Sequence, residues 1–433
     1  MGSLHGRGLL GLVLSVSFGG AAACGGGSAD TGTTVVQSKL ARDTAPVKSD
    51  VPELVAGNTK FAFDLYQRVA AGDDTENLFF SPYSISIALA MTYAGAADST
   101  ATEMATALDF TLPSAKLHPA FDALDLDLGS RAKGQSGSDG QPFQLRVVDS
   151  LWADSSLPFE QPFLDTLALD YGAGVRLTDF IRAPDAARAR INSWVSNETE
   201  NKIQNLLPNG SVNSSTRLVL VNAIYFNAGW ENKFEATATV PATFHHLDGS
   251  TSKPDTMAQT NAMGFAKGAN YRAVELPYAG NQTSMVFVVP DDGQFAAVES
   301  GLTGDFIGSV FASLANTEVI LTVPKFTVEG ATISLKAQLS ALGMADAFTP
   351  SANFSGMTTT EKLQISDVLH QAFIKVDETG TEAAAATAVI DRTAGAEVIL
   401  TTETVAIDHP FFYAIRDIPT NTVLFVGREM DPK

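Results

Sequence analysis

The six histidines, His5, His118, His245, His246, His370 and His409, are the side chains of this 433-residue chain best suited to proton transfer near neutral pH. None sits in an H-E-x-x-H pair, the spacing that sets two imidazoles on one helix face for zinc. On a strand, His245 and His246 would point to opposite faces, a poor geometry for one metal, and they read as a surface pair. No G-x-S-x-G turn raises a serine, no P-loop cradles phosphate, and no G-x-G-x-x-G is present. The 48 acidic residues leave a formal net charge of −20, so adjacent acids read mostly as solvated surface. Cys24 is the single cysteine, which excludes a disulfide framework and a cysteine-based structural zinc site. No motif supports an enzyme.

A different chemistry is open to residues 377–390, DETGTEAAAATAVI. Four consecutive alanines favour helix on propensity, but Thr379, Gly380, Thr381 and Thr387 weaken that reading. The following DRTAGAEVILTTETVAID has no helical stripe. One reading is a helix followed by a loose surface loop. The other is a segment able to live in two environments, an exposed loop or a strand inside a sheet. As a strand it would alternate Thr381, Ala383, Ala385, Thr387 and Val389 on one face, all small or β-branched, which enter a packed sheet without overfilling it. Asp391 would fall on the same face and resist burial unless it reached the sheet end.

The elements that must hold such a segment read as α+β. Residues 53–70 carry Leu54, Phe61, Leu65, Tyr66 and Val69 on one helical face. Ser81 is a natural N-cap with Pro82 at the first helical position, and the helix after it is apolar nearly all round, hence buried. Residues 185–206 read as an amphipathic helix. Strands then dominate: Arg217–Phe226, Tyr271–Leu276, Met285–Val289, Glu318–Val323, Phe373–Val376, Phe411–Ile415 and Val423–Val426, with one helix near Leu335–Leu342. Helices early and strands late give α+β, not alternating βαβ. The acidic charge argues against a nucleic-acid partner, whose phosphates need Lys and Arg.

Residues 1–23 read as an export signal: a polar start, the apolar run from Leu9 to Phe18, then small residues up to Ala23. Ala-Ala-Cys at its end resembles a bacterial lipobox, with Cys24 as the acylated residue, although Ala21 stands where Leu is preferred. Ordinary cleavage with an incidental cysteine is the alternative. Either route exports the chain: an outer-membrane-anchored lipoprotein in the first case, a secreted protein in the second. Residues 24–50, rich in Gly, Ser and Thr, read as a flexible linker. Residues 51–433 read as one domain, with no second linker and no internal repeat.

Taken in order, NLFFSPYSISIALAMTYAGA at 77–96, INSWVSNETENKIQNLL at 191–207, LVLVNAIYFNAGWENKF at 218–234, LTVPKFTVEG, LSALGMADAF, NFSGM, GTEAAAAT, DHPFFYAIRD and VLFVGRE make the chain similar to a serpin over essentially all of 52–430. The resemblance implies a large central mixed β-sheet, further sheets, eight or nine helices and an exposed reactive-centre loop over about 378–405. It implies a suicide-substrate inhibitor of serine proteases, in which the cut loop inserts into the central sheet with the acylated protease attached; loop insertion in this family is a known example of strand addition. The other reading within the resemblance is a non-inhibitory member, a binding or structural module or a plain protease substrate.

Residue by residue, Glu378, Gly380, Thr381, Glu382, Ala383, Ala384, Ala385, Ala386 and Thr387 resemble the hinge of inhibitory members. Lys325 resembles the partner of Glu378, and Trp230 the buried Trp below the point where the loop enters the sheet. Ser81, Ser84, Asn222 and His370 resemble the hydrogen-bonded group that lets the central strands part. Counting from the hinge places the scissile bond at Ala394-Gly395, which would suit elastase-like or subtilisin-like proteases; Arg392-Thr393 is the alternative, suiting a trypsin-like target. No Lys/Arg cluster stands on 114–140, so no heparin partner is expected. The resemblance implies no cofactor, no metal, no catalytic residue and a monomer.

Overall fold

The computed structural model describes residues 33–72, 75–131, 134, 136, 140, 143–381 and 402–433. Among them nine α-helices and two large sheets build an α+β body. The early helices follow the sequence closely. Val51–Ala70 buries Leu54, Phe61, Leu65 and Tyr66. Pro82–Tyr93 starts at Ser81, whose Oγ accepts from the backbone N–H of Ser84 and donates to the carbonyl of Leu424. Eleven of its twelve residues are buried, as its uniformly apolar surface requires. The helix expected over 185–206 is shorter, Pro184–Glu198: Glu200 and Asn201 adopt left-handed backbone that ends it.

The first sheet runs Thr34–Val36, Val175–Thr178, Gln144–Asp154, Leu218–Gly229, Gly380–Thr381, Val368–Val376 and Phe326–Glu329, with Ile333–Ser334 on Val368–Val376. Leu218–Gly229 is buried at every position. Its even-numbered side chains (Leu218, Leu220, Ile224, Phe226, Ala228) join the main core, and its odd-numbered ones (Val219, Val221, Ala223) join a smaller core under Pro184–Glu198. This period-2 split explains why the strand reads as a continuous apolar run.

Below the inserted Gly380–Thr381, Leu218–Gly229 and Val368–Val376 pair directly, and they run parallel. Their outer neighbours, Gln144–Asp154 and Phe326–Glu329, are antiparallel to them. A parallel seam therefore sits between antiparallel ladders. The second sheet is ordered Thr402–Ala406, Ala315–Pro324, Asp255–Lys267, Tyr271–Pro277, Thr283–Pro290, Phe411–Asp417, Val423–Glu429, Leu78–Phe80.

The flexible linker expected over 24–50 is corrected from Thr33 onward. Thr34–Val36 adds an antiparallel strand to Val175–Thr178. Ser38 donates to Asp165 at 2.5 Å. Arg42 reaches the fully buried carboxylate of Asp122 at 2.6 Å and Asp125 at 2.7 Å. Only the Asp122 carboxylate is fully buried, and removing Arg42 would leave that charge without its partner.

Candidate functional site

The site is the seam between Leu218–Gly229 and Val368–Val376, together with the chain that enters it. Three side chains form one row across the sheet on its main-core face. Asp149 lies opposite Asn222 in the antiparallel register, and Asn222 opposite His370 in the parallel one. Ser81 and Ser84, at the start of the buried helix Pro82–Tyr93, meet this row from below.

His370 Nε2 accepts the backbone N–H of Ser81 at 3.1 Å, so the ring proton is on Nδ1, which donates to Asn222 Oδ1. Ser84 Oγ donates to the same oxygen at 3.0 Å. The structure thus brings Ser81, Ser84, Asn222 and His370 into one hydrogen-bonded group. Every member is buried, and an unmet donor or acceptor here would cost about 1–3 kcal/mol.

Burial pushes the His370 imidazole down to about 3. The unfolded chain then binds a proton below pH 6.5 that the folded chain refuses, so the stabilisation is complete above 6.5 and is lost as pH falls toward 3. At pH 4.5 the loss from this group is about 2–3 kcal/mol. Acids raised by desolvation, half-buried Asp170 at about 6 and buried Glu429 at about 8, act in the opposite sense. Denaturant melts of the wild type and His370→Gln at pH 7 and 4.5 isolate the term: the wild type should lose this much more than the variant. An equal loss in both would refute it.

At the upper end of the seam the hinge enters. Gly380 pairs with Gly229 and Thr381 with Ala228 in an antiparallel register, while Thr381 also pairs antiparallel with Val376. Thr381 is 1% exposed. The expectation of an exposed loop from 378 is therefore corrected at its start: these two residues are already a short strand inside the sheet. Thr381 Oγ1 lies 2.6 Å from the hydroxyl of Tyr278. The Tyr278 ring stacks on Trp230 with centroids 4.6 Å apart and planes 7° from parallel.

Trp230 fixes the turn before the strand twice over. Its indole Nε1 donates to the carbonyl of Asp377 at 2.9 Å, and its backbone N–H to that of Thr379 at 3.0 Å. Lys325 Nζ stands 3.2 Å from Glu378 Oε2, and Thr239 donates to Glu378 Oε1 at 2.8 Å. Burial works to raise the Glu378 carboxyl, but hydrogen bonds from its own backbone, Thr239 and Lys325 outweigh that and lower it. Glu378 thus stays charged and anchored.

Glu382, Ala383, Ala384, Ala385, Ala386 and Thr387, both scissile-bond candidates (Ala394-Gly395 and Arg392-Thr393) and Cys24 lie outside the described residues. The distal side of that stretch returns at Thr402–Ala406, parallel to Ala315–Pro324 in the second sheet. Lys116 and Arg131, on the helix Ser114–Arg131, are paired with Asp50 and Asp417. His245 and His246 do not join the seam; His246 contacts Ser252 and the carbonyl of Met430. Among the described residues no group of His, Cys, Asp and Glu could hold a metal.

Sequence reasoning missed Asp149 and Tyr278. A lone acid in the otherwise apolar part of RVVDSLWA was a signal for Asp149, but only the strand register shows what it faces. Nothing local distinguishes Tyr278.

A family model described as serpin (serine protease inhibitor) matches residues 56–432. The chain belongs to the serpin family. Leukocyte elastase inhibitor of Bos taurus is 37% identical over 389 residues, covering 88% of this chain and all of that one. An uncharacterized serpin-like protein of Thermococcus kodakarensis is 36% identical over 373 residues, 86% of this chain and 84% of the relative. Among solved structures, the thermophilic serpin tengpin in the native state superposes with a TM-score of 0.80 at 27% identity, over 92% of this chain and 99% of that one. Uncleaved ovalbumin gives 0.76 at 29% identity, over 88% of this chain and all of the other.

Proposed function

We propose that this serpin is a suicide-substrate inhibitor of serine proteases, acting by insertion of its cleaved loop between Leu218–Gly229 and Val368–Val376. The observation that carries the reading is the parallel seam with Gly380–Thr381 already seated antiparallel to both of its walls. A strand continued from there replaces one parallel pairing by two antiparallel ones, which are somewhat more stable per residue.

The register sets the fit. Carried forward residue by residue, it puts Ala383 opposite Phe226, Ala385 opposite Ile224, Thr387 between Asn222 and His370, and Asp391 opposite Leu218 at the strand end. Small residues meet the large ones, a hydroxyl meets the polar row, and the one charge falls at the end of the seam, beside buried Leu218 on one wall and half-buried Ser366 on the other.

A serine protease acylated at Ala394 or Arg392 travels with the loop. About 13 residues beyond Thr381, at roughly 3.3 Å each, move it on the order of 40 Å. Its second step needs tight geometry, and a misplacement of about 1 Å costs on the order of a hundredfold in rate. The leukocyte elastase inhibitors among the relatives favour a serine protease with a small or apolar pocket, which Ala394 suits; Arg392 would direct the loop to a trypsin-like enzyme. Export through residues 1–23, with Cys24 lipidated, would place the inhibitor where it meets secreted or foreign proteases.

Incubation with elastase, subtilisin and trypsin tests this. An SDS-stable complex with at least one of them, and a loop fragment whose mass locates the cut bond, is the expected result. Clean cleavage by all three without a complex would leave a non-inhibitory binding module or plain substrate.

A further inference from the structure

We propose that Asp149 is a positioning residue for loop insertion: it fixes the amide of Asn222 in the single orientation that lets the seam close. The proposal rests on the inhibitory reading of the seam but concerns a residue outside the group that the resemblance supplied.

The argument is one of donors and acceptors. Three hydrogen bonds run in series along the row. The Ser81 backbone N–H donates to His370 Nε2, His370 Nδ1–H to Asn222 Oδ1, and Asn222 Nδ2–H to Asp149 Oδ1. A backbone N–H starts the series and cannot reverse. The His370 tautomer is therefore fixed, and Asn222 must turn its oxygen toward the seam. An amide has two nearly isosteric orientations; the His370 Nδ1–H and the Ser84 hydroxyl on one side, and an acceptor neighbour on the other, select the same one. That neighbour is Asp149, reached directly across the ladder.

Asp149 is suited to the task by what surrounds it. Its Oδ2 is shut off from solvent and has no partner among the described residues, so the carboxyl has no competing donor to turn toward. The acid facing it, Asp125 on the helix Ser114–Arg131, is held by Arg42 at 2.7 Å. Burial, with the nearby charge of Asp125, sets the Asp149 carboxyl well above its ordinary range, although the hydrogen bond from the Asn222 amide pulls it down. With a proton on Oδ2, Oδ1 still accepts. Nearby Arg146 pairs with Glu200 instead.

The closed and inserted seams differ in their need for this control. When closed, Asn222 faces a fixed donor, the Nδ1–H of His370, and a flipped amide would put donor against donor. When inserted, the register places Thr387 between them, and a hydroxyl donates or accepts as required. Loss of Asp149 therefore weakens the closed seam and leaves the inserted one nearly untouched. Asp149 acts on the kinetics of opening.

The test uses intact full-length protein and a synthetic peptide with the sequence of residues 382–391, whose annealing into the seam beyond Thr381 is followed by native gel and by the increase in melting temperature. Asp149→Leu should anneal the peptide about fivefold to tenfold faster than wild type, the effect of losing one buried hydrogen bond from the closed form. Asp149→Asn, whose amide oxygen still accepts from Asn222, should stay within about twofold. Asp149→Thr, too short to reach, replaces the leucine variant should that yield too little folded protein. The melting temperature of the peptide-filled form should be the same in all. Equal annealing rates for wild type and Asp149→Leu would overturn the proposal, as would equal acceleration by Asn and Leu, or an equal loss of stability in the closed and filled forms. If the wild type itself takes up no peptide, the insertion reading of the seam fails together with this one; annealing by wild type with no effect of Asp149→Leu sinks this proposal alone.

Discussion

Thr381→Arg should turn the inhibitor into a substrate: its target protease cuts the loop at a near-normal rate, but the covalent complex falls by about a hundredfold or more relative to cleavage. The wild-type threonine is 1% exposed, and its hydroxyl rests against Tyr278, whose ring lies flat on Trp230. A guanidinium at this position would be buried against two aromatic rings without a carboxylate to pair with. Burying an unpaired charge costs several kcal/mol. The hinge would be expelled, and insertion would have to begin by drawing that charge past Ala228 and Val376. In the proposed mechanism, trapping is a race between insertion and deacylation. An added barrier of about 3 kcal/mol slows insertion by roughly two orders of magnitude, while the distant scissile bond is attacked as before. The partition is read as the molar ratio of inhibitor consumed to protease silenced. Thr381→Ser keeps the hydroxyl and should retain most of the trapping. A Thr381→Arg protein that still trapped protease one for one would eliminate insertion through this seam.

What was legible in the sequence was what local chemistry determines. Ser81 caps and Pro82 opens a helix by rules that act over four residues, and that helix is apolar on every side because it is buried on every side. Leu218–Gly229 likewise shows its burial as an unbroken apolar run. The pairing of Asp149 with Asn222 was not legible, because it depends on the register between strands about seventy residues apart. The placement of Gly380 and Thr381 was open for a physical reason: residues this small fit a loop and a sheet equally well, and Trp230 and Tyr278 decide between them. The segment from Thr33 to Asp50 looked like linker by composition. Its attachment is made by Arg42 to acids about eighty residues away, which no local pattern reports.

Cutting the loop should raise the melting temperature by about 10 °C or more, and this follows from what the seam exchanges on insertion. About ten residues beyond Thr381 would gain two antiparallel ladders while the parallel bonds between Leu218–Gly229 and Val368–Val376 are given up. The net is about one new hydrogen bond per residue, worth roughly 1 kcal/mol each, and ordering each residue costs about as much. Those two contributions cancel. Apolar burial decides the balance: five alanines, at about 0.8 kcal/mol per methyl, with Val389 and Ile390 at about 2 kcal/mol each, give roughly 8 kcal/mol. A folded body of about 380 residues has an unfolding entropy near 0.8 kcal/mol per degree, so 8 kcal/mol corresponds to about 10 °C. The expectation does not depend on which bond is cut, because cleavage after Arg392 or after Ala394 equally frees residues 382–391 to enter. Calorimetry before and after limited digestion measures the shift, and amide exchange should show new protection on residues 382–391. A nicked protein that melts where the intact one does would mean that the closed, partly parallel sheet is already the state of lowest free energy, leaving nothing to drive a captured protease along its face.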